Sequence, residues 1–180
     1  ASTHDTEEKS CMLAHKKLKL KHKNLLTIII PRHIQRTEKI IKEIQQLNLK
    51  VVTRSSGKKI TSGTDVYLVD SYGETKSFFE ICNVVFLGGS LINHGGQNPL
   101  EPARLGCRVL HGPFIENFEE VYEFTNKNKI SSKFENVDQL VNILKNAFVK
   151  KTSLKNKVNK LKKMGDSILN KNLIEVSNYF

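Results

Sequence analysis

An α/β domain, a Rossmann-like parallel sheet with helices on both faces, is the fold class this sequence predicts, and three observations predict it. Short runs of β-branched apolar residues alternate with segments whose apolar residues recur at helical spacing. The first such run, Leu25 to Ile30, is stopped by Pro31, as suits a strand buried on both faces. All four prolines and nine of the ten glycines fall between Pro31 and Pro113, mostly just after a predicted strand. The loops at strand carboxyl ends form the ligand crevice of a doubly wound sheet, so the special turn chemistry is concentrated where such a fold binds ligands.

The elements follow in order. After the strand at Leu25 to Ile30, the residues Ile34, Ile40, Ile41, Ile44 and Leu47 mark a helix, and Leu49 to Thr53 a second strand, which makes a βαβ unit. The alternation continues with a strand at Val66 to Val69, a helix from about Glu74 to Cys82, and a strand at Val84 to Leu87. Then come a helix from Pro99, a strand at Arg108 to Leu110 and a helix from about Asn117 to Asn126. Residues 137 to 180 have the pattern of one or two Lys-rich helices closing the fold.

At 180 residues the chain fits one domain, long enough for a real core and short for a complete two-domain enzyme. It opens at Ala1 within a polar stretch, which raises the expectation of a further segment upstream. The formal charge of +11 and pI near 9.6 favour an anionic partner: nucleic acid, a phospholipid surface or a phosphorylated metabolite. Much of the excess lies in Lys16 to Lys23 and Lys150 to Lys163, runs that are also expected of plain solvated faces. Cys11, Cys82 and Cys107 are odd in number and widely spaced, which supports neither a disulfide framework nor a zinc site and points to a reducing cytosol. No apolar run approaches the roughly 20 residues of a membrane span, and no signal peptide opens the chain, so a soluble chain is expected.

Gly88-Gly89-Ser90 and His94-Gly95-Gly96-Gln97-Asn98-Pro99-Leu100-Glu101-Pro102 belong to one strand-loop-helix connection. Glycine pairs let backbone N–H groups turn toward a ligand, and the following helix N-terminus suits a phosphate, although a tight turn gives the same pattern. Asn98, Pro99 and Glu101 fit a capping arrangement, with Asn98 as cap and Glu101 at the third helical position. Alternatively Glu101 accepts hydrogen bonds from a ribose diol. Arg32, just past the first strand, can hold a phosphate or a carboxylate. His33, His94 and Glu74 also fall on crevice loops, where a general base and a structural residue are both open readings.

Ala1-Ser2-Thr3-His4 with Glu7-Glu8, Ile30-Pro31-Arg32-His33, Arg54-Ser55-Ser56-Gly57, Asp65-Val66-Tyr67-Leu68, Gly88-Gly89-Ser90-Leu91, the His94 to Pro102 segment, and Gly112-Pro113 through Asn117-Phe118 together resemble the C-terminal half of 3-deoxy-D-manno-octulosonic acid (Kdo) transferases. The resemblance is collinear from Ala1 to about Phe118. It implies the C-terminal half of a GT-B glycosyltransferase, residues 1 to 180 forming the CMP-Kdo-binding domain, with the N-terminal acceptor domain absent. It implies transfer of Kdo to the lipid A precursor in lipopolysaccharide biosynthesis, at the cytoplasmic face of the Gram-negative inner membrane, without metal or further cofactor. The family's catalytic base lies in the other half, so no catalytic residue is expected here. Carried over position by position, Arg32, Gly88, Gly89, Ser90, Gly95, Gly96, Asn98 and Glu101 become donor-binding candidates, with Ser2, Thr3, His4, His33, Glu74 and Pro113 behind them. Gln97, Phe114 and Ser71-Tyr72 depart from the family pattern.

Other classes fit less well. A Rossmann dehydrogenase would carry GxGxxG after the first strand, where Pro31-Arg32-His33 stands. An epimerase of GT-B shape binding a UDP-sugar shares the Glu-bearing helix after a Gly-rich loop. A nucleic-acid module lacks aromatics interleaved on a basic face, and no nucleic acid is expected as a partner.

Overall fold

The computed structural model describes residues 1–149. It opens with a helix, α1 (Glu7–Lys19), that the hydrophobic pattern does not signal, because its buried residues include Glu7, Glu8 and His15 beside Met12, Ala14 and Leu18. Its acidic first turn and basic last turn do match the helix dipole. Then follow β1 (Thr27–Ile29), a 3-10 turn (Ile34–Arg36), α2 (Thr37–Gln46), β2 (Val51–Thr53) and β3 (Val66–Leu68). The second half contains α3 (Thr75–Ile81), β4 (Val84–Phe86), α4 (Leu100–Arg104), β5 (Arg108–His111), a 3-10 turn (Glu116–Phe118), α5 (Glu119–Lys127), β6 (Ser131–Lys133) and α6 (Val137–Val149). The expected helices of 137–180 are represented by α6, and the rest of that expectation, with the Lys150 to Lys163 run, lies outside the described residues.

All strand pairs are parallel, in the orders β1-β3-β2 and β4-β5-β6. Helices cover both faces, as neighbouring residues of β5 show. Val109 packs with Phe79, Ala103 and Tyr122 on one side. Leu110 packs with Ala14, Leu18, Phe134 and Leu140 on the other. A third cluster seats Ile40 and Ile44 of α2 against Ile29, Val66 and Leu68. Each fully buried side chain of this kind stabilises the fold by about 1.5–3 kcal/mol.

The strands form two groups rather than one continuous ladder. Among the described residues, the backbone of residues 1 to 3 joins the groups at the carboxyl ends of β1 and β4: Thr3 N donates to Ile30 O at 3.2 Å, Arg32 N donates to Thr3 O at 2.9 Å, and Gly88 N donates to Ala1 O at 2.9 Å.

Candidate functional site

That junction is the crevice the topology calls for, where strand order reverses. Three imidazoles gather over it. The rings of His4 and His94 lie 4.3 Å apart and those of His4 and His33 5.9 Å apart, with the His4 and His94 rings standing over Gly89. His4 is buried, and its Nε2 has no hydrogen-bond partner among the described residues. Burial, and next the charge of His94, push its pKa below the usual histidine value. Ser2 and Thr6, on either side of it, take left-handed backbone conformations with φ of 53° and 75°, the kind of local strain that tightly held segments retain.

What holds this segment is Glu7. Its fully buried carboxylate accepts N–H bonds from His4 (2.8 Å), Gly89 (2.8 Å), Ser90 (3.1 Å) and Leu91 (3.0 Å). The N–H groups of Gly89, Ser90 and Leu91 therefore make an anion cradle whose anion is internal, while Gly88 N donates to Ala1 O, so in this structure these N–H groups are already taken by the chain itself. Ser90 is also structural: it is buried, its hydroxyl donates to Leu87 O at 2.6 Å and accepts from Gly112 N at 2.9 Å, tying the ends of β4 and β5 together. Glu8, equally buried, takes a bidentate pair of 3.0 Å bonds from Arg36 and one of 2.8 Å from the Thr3 hydroxyl. Thr3 is thereby turned inward.

The second pair differs. Gly95 and Gly96 adopt φ of 80° and 76°, and Gly96 N donates to Gly89 O at 2.8 Å, which couples the two pairs. The expected capping box does not form. Helix α4 starts at Leu100 with Pro99 at the cap position, Asn98 Oδ1 accepts from Leu100 N at 2.9 Å, and Glu101 is exposed with no hydrogen bond to any described residue. At five residues α4 offers little dipole for a phosphate.

The structure thus brings together Ser2, Thr3, His4, Arg32, His33, Gly88, Gly89 and His94 around the crevice, with Gly95 and Gly96 attached through Gly89. Arg32 lends the crevice its backbone, while its side chain is exposed and forms no ion pair among the described residues. Glu74 belongs elsewhere, following β3, where Ser71 and Arg54 bind it and hold its carboxyl below the usual range. Pro113 is an exposed residue after β5. The residues that sequence reasoning missed as site builders are Glu7, Glu8 and Arg36. The available signal was an acidic pair directly after Ser-Thr-His, but two acids at a helix start are explained by the dipole alone. Among the described residues no group of histidines, cysteines or carboxylates could hold a metal ion, and no helix is long and apolar enough to cross a membrane.

No family model matches the chain. It is 35% identical over 122 residues to the 3-deoxy-D-manno-octulosonic acid transferase of Haemophilus influenzae, covering 68% of this chain and 29% of that protein. The transferase of the same name from Aquifex aeolicus is 30% identical, over 78% of this chain and 38% of its own length. A bifunctional glycosyltransferase/methyltransferase of Fusobacterium nucleatum is 33% identical over 78% of this chain and 22% of its own length. The chain therefore spans well under half the length of these curated relatives. Among solved structures, the C-terminal CMP-Kdo binding domain of WaaA from Acinetobacter baumannii superposes with a TM-score of 0.82 at 31% identity, covering 90% of this chain and 84% of that one.

Proposed function

Since the chain belongs to the 3-deoxy-D-manno-octulosonic acid transferase family, matching its C-terminal domain, we propose that it is the donor-binding domain of such an enzyme, taking CMP-Kdo in the crevice between β1 and β4. One observation carries the assignment to this crevice: an exposed Arg32, with no ion pair among the described residues, stands next to a histidine cluster whose buried His4 Nε2 has no hydrogen-bond partner among them. A phosphate or carboxylate there would gain a guanidinium fork and polarisable imidazoles. Asn98 and Glu101, beyond the Gly95-Gly96 turn, present polar groups for the nucleoside.

In the longer parent enzyme the acceptor is the lipid A precursor, held by a separate domain at the cytoplasmic face of a Gram-negative inner membrane, and this domain alone binds donor without transferring it. The net charge of +11 supports contact with an anionic membrane surface. Part of that charge is already committed, since Lys17 pairs with Asp138 and Lys19 with Asp65.

Titration with CMP, UMP and AMP, followed by amide chemical shifts, tests the reading. Selective shifts for CMP at Gly89, Gly95 and the residues around Arg32 are expected, and shifts that are absent or alike for all three nucleotides overturn it. Liposome co-sedimentation that ignores anionic lipid content removes the membrane contact.

A further inference from the structure

Helix α5 turns three polar side chains inward, Tyr122, Thr125 and Asn126, at the three- and four-residue spacing of one helix face. Polar groups taken out of water cost stability unless they are hydrogen-bonded, and each of these has a partner. Asn126 Oδ1 accepts from Ser131 Oγ at 2.7 Å, and the Thr125 hydroxyl lies 2.7 Å from that same oxygen. His111 Nδ1 lies 2.7 Å from Gly112 O. A carbonyl only accepts, so Nδ1 carries the proton and Nε2 accepts from Asn126 Nδ2 at 3.1 Å. These bonds hold α5 against β5 and β6. Tyr122 points out of that network: its hydroxyl donates to Gln97 O at 2.9 Å, in the loop of the second glycine pair.

The Tyr122 ring is fully buried beside Val109 and Ala103, and the fixed His111 ring stands 4.3 Å from it at 46°. Burial pushes the phenol up to about 13, so the hydroxyl remains a donor throughout the neutral range. A phenylalanine would fill the same space. The added oxygen is not required to satisfy Gln97 either, because that residue is half-buried and water can solvate its carbonyl. What the bond adds is a fixed position. Gly96 N to Gly89 O and Asn117 N to Gly95 O anchor the loop ahead of Gln97. Directly after it, Asn98 bonds only within its own turn, to Leu100 N, and Glu101 bonds nothing described. We propose that Tyr122 is a positioning residue of the nucleotide site, its hydroxyl holding the Gln97 carbonyl so that Asn98 and Glu101 present their polar groups in the geometry that takes a nucleoside. The inference rests on the donor-binding reading above and adds to it a residue that never touches the donor.

Tyr122→Phe removes this one oxygen, and Thr125→Val, which deletes an equally buried hydroxyl from the same helix face, is the comparison. In the 180-residue chain, Tyr122→Phe should speed hydrogen exchange at the Gly96 amide about fivefold and weaken CMP binding by about the same factor, the scale of one neutral hydrogen bond. Thr125→Val should lower the melting temperature and leave Gly96 exchange and CMP affinity at the level of the unsubstituted chain. Unchanged exchange or unchanged CMP affinity in Tyr122→Phe overturns the proposal. So does a Thr125→Val chain that matches Tyr122→Phe in both readings, since the effect would then be one of general stability. A Tyr122→Phe chain that does not fold overturns it too, because a loop tether is not what holds a core together. If the unsubstituted chain shows no preference for CMP over UMP and AMP, the donor-binding reading itself falls, and faster Gly96 exchange in Tyr122→Phe would then mark a purely structural tether.

Discussion

The two glycine pairs of the β4–α4 connection look alike in sequence and behave differently in the fold. At Gly88 an added Cβ would meet Ser2 O at 2.3 Å, Thr3 Cα at 2.6 Å and Glu7 Oε2 at 2.7 Å. Backbone and a buried carboxylate of the same chain have taken the space. At Gly95 the added atom would meet the Asn117 side-chain amide at 2.3 Å, and at Gly96 it would meet Phe114 O at 3.1 Å. Both of the latter also need positive φ. Glycine pairs announce that something comes close to the backbone. They do not say whether it is the protein itself or a ligand, and here the first pair is closed by Glu7 and the backbone of residues 2 and 3, while the second is approached by the movable Asn117 side chain and the backbone of Phe114 and Ile115.

The largest expected effect comes from opening the closed side. Glu7→Ala leaves four N–H groups, those of His4, Gly89, Ser90 and Leu91, without their acceptor. Each buried unsatisfied donor costs about 1–3 kcal/mol. With water entering to recover part of this, a loss on the order of 4 kcal/mol is expected, a large share of the 5–15 kcal/mol typical of a domain. Urea unfolding measures it, and a loss below about 1 kcal/mol would show that the cradle does not depend on Glu7.

The glycines themselves sharpen the contrast. Gly88→Ala pushes a methyl into backbone that cannot retreat, and overpacking of this kind costs about 1–3 kcal/mol or more. Gly95→Ala combines about 1 kcal/mol or more of left-handed strain with a clash against a side chain that can move. Replacing Asn117 by Ala in the Gly95→Ala background should therefore recover part of the loss, whereas no single truncation should rescue Gly88→Ala. Denaturant midpoints of the singles and the double decide this, and strict additivity at the second pair would contradict it.

Much of the closed side was legible only as glycines and prolines. The strands at Leu25 to Ile30 and Val84 to Leu87 were readable because buried parallel strands are continuous β-branched runs, although the observed ladders, Thr27–Ile29 and Val84–Phe86, are shorter. Helix α1 escaped because Glu7, Glu8 and His15 occupy half of its buried positions, which leaves Met12, Ala14 and Leu18 as a weak apolar pattern. Strand β6 escaped because Ser131-Ser132-Lys133 is a polar edge strand held on one side by β5. For the candidate site, the place of Arg32 at the carboxyl end of β1 and of the glycine pairs in the β4–α4 connection was legible from their positions after strands. The jobs of Glu7, Glu8 and Arg36 were not, since the contacts that define them join residues 28 to 84 positions apart.

A smaller effect sits where the two regions meet. Burial lowers the pKa of His4, His15 and His111 in the fold, while the unfolded chain keeps values near 6.5. Below that value the unfolded state binds more protons, so the histidines' contribution to stability is fully present above about pH 6.5 and is lost as the pH drops through it. His4 contributes among His94, His33, Glu7 and Arg36, which act on it with both signs. Urea midpoints from pH 8 to pH 5 should fall, and His4→Gln should make the fall shallower. An unchanged slope would relieve His4 of this role.

The smallest effect on stability belongs to the open side and carries the sharpest statement about binding. Glu101 is exposed and bonds nothing described, and the helix it sits in starts at Leu100 rather than at Pro99. Its substitution therefore removes no folded-state interaction, and Glu101→Gln should shift stability by less than about 0.5 kcal/mol. If the carboxylate accepts a ribose hydroxyl in the complex, the amide, uncharged and half donor, is a poorer acceptor. A charge-assisted bond of about 1.5–3 kcal/mol corresponds to a loss of roughly tenfold or more in CMP affinity. Glu7→Ala should instead lose stability first and affinity only through it. Melting temperature and CMP affinity measured side by side on Glu101→Gln, with Glu101→Ala as the harsher variant, separate the two regions. Normal affinity in a normally melting Glu101→Gln protein would take the ribose role from Glu101 and leave nucleotide recognition to Arg32, the histidine cluster and the Gly95-Gly96 turn.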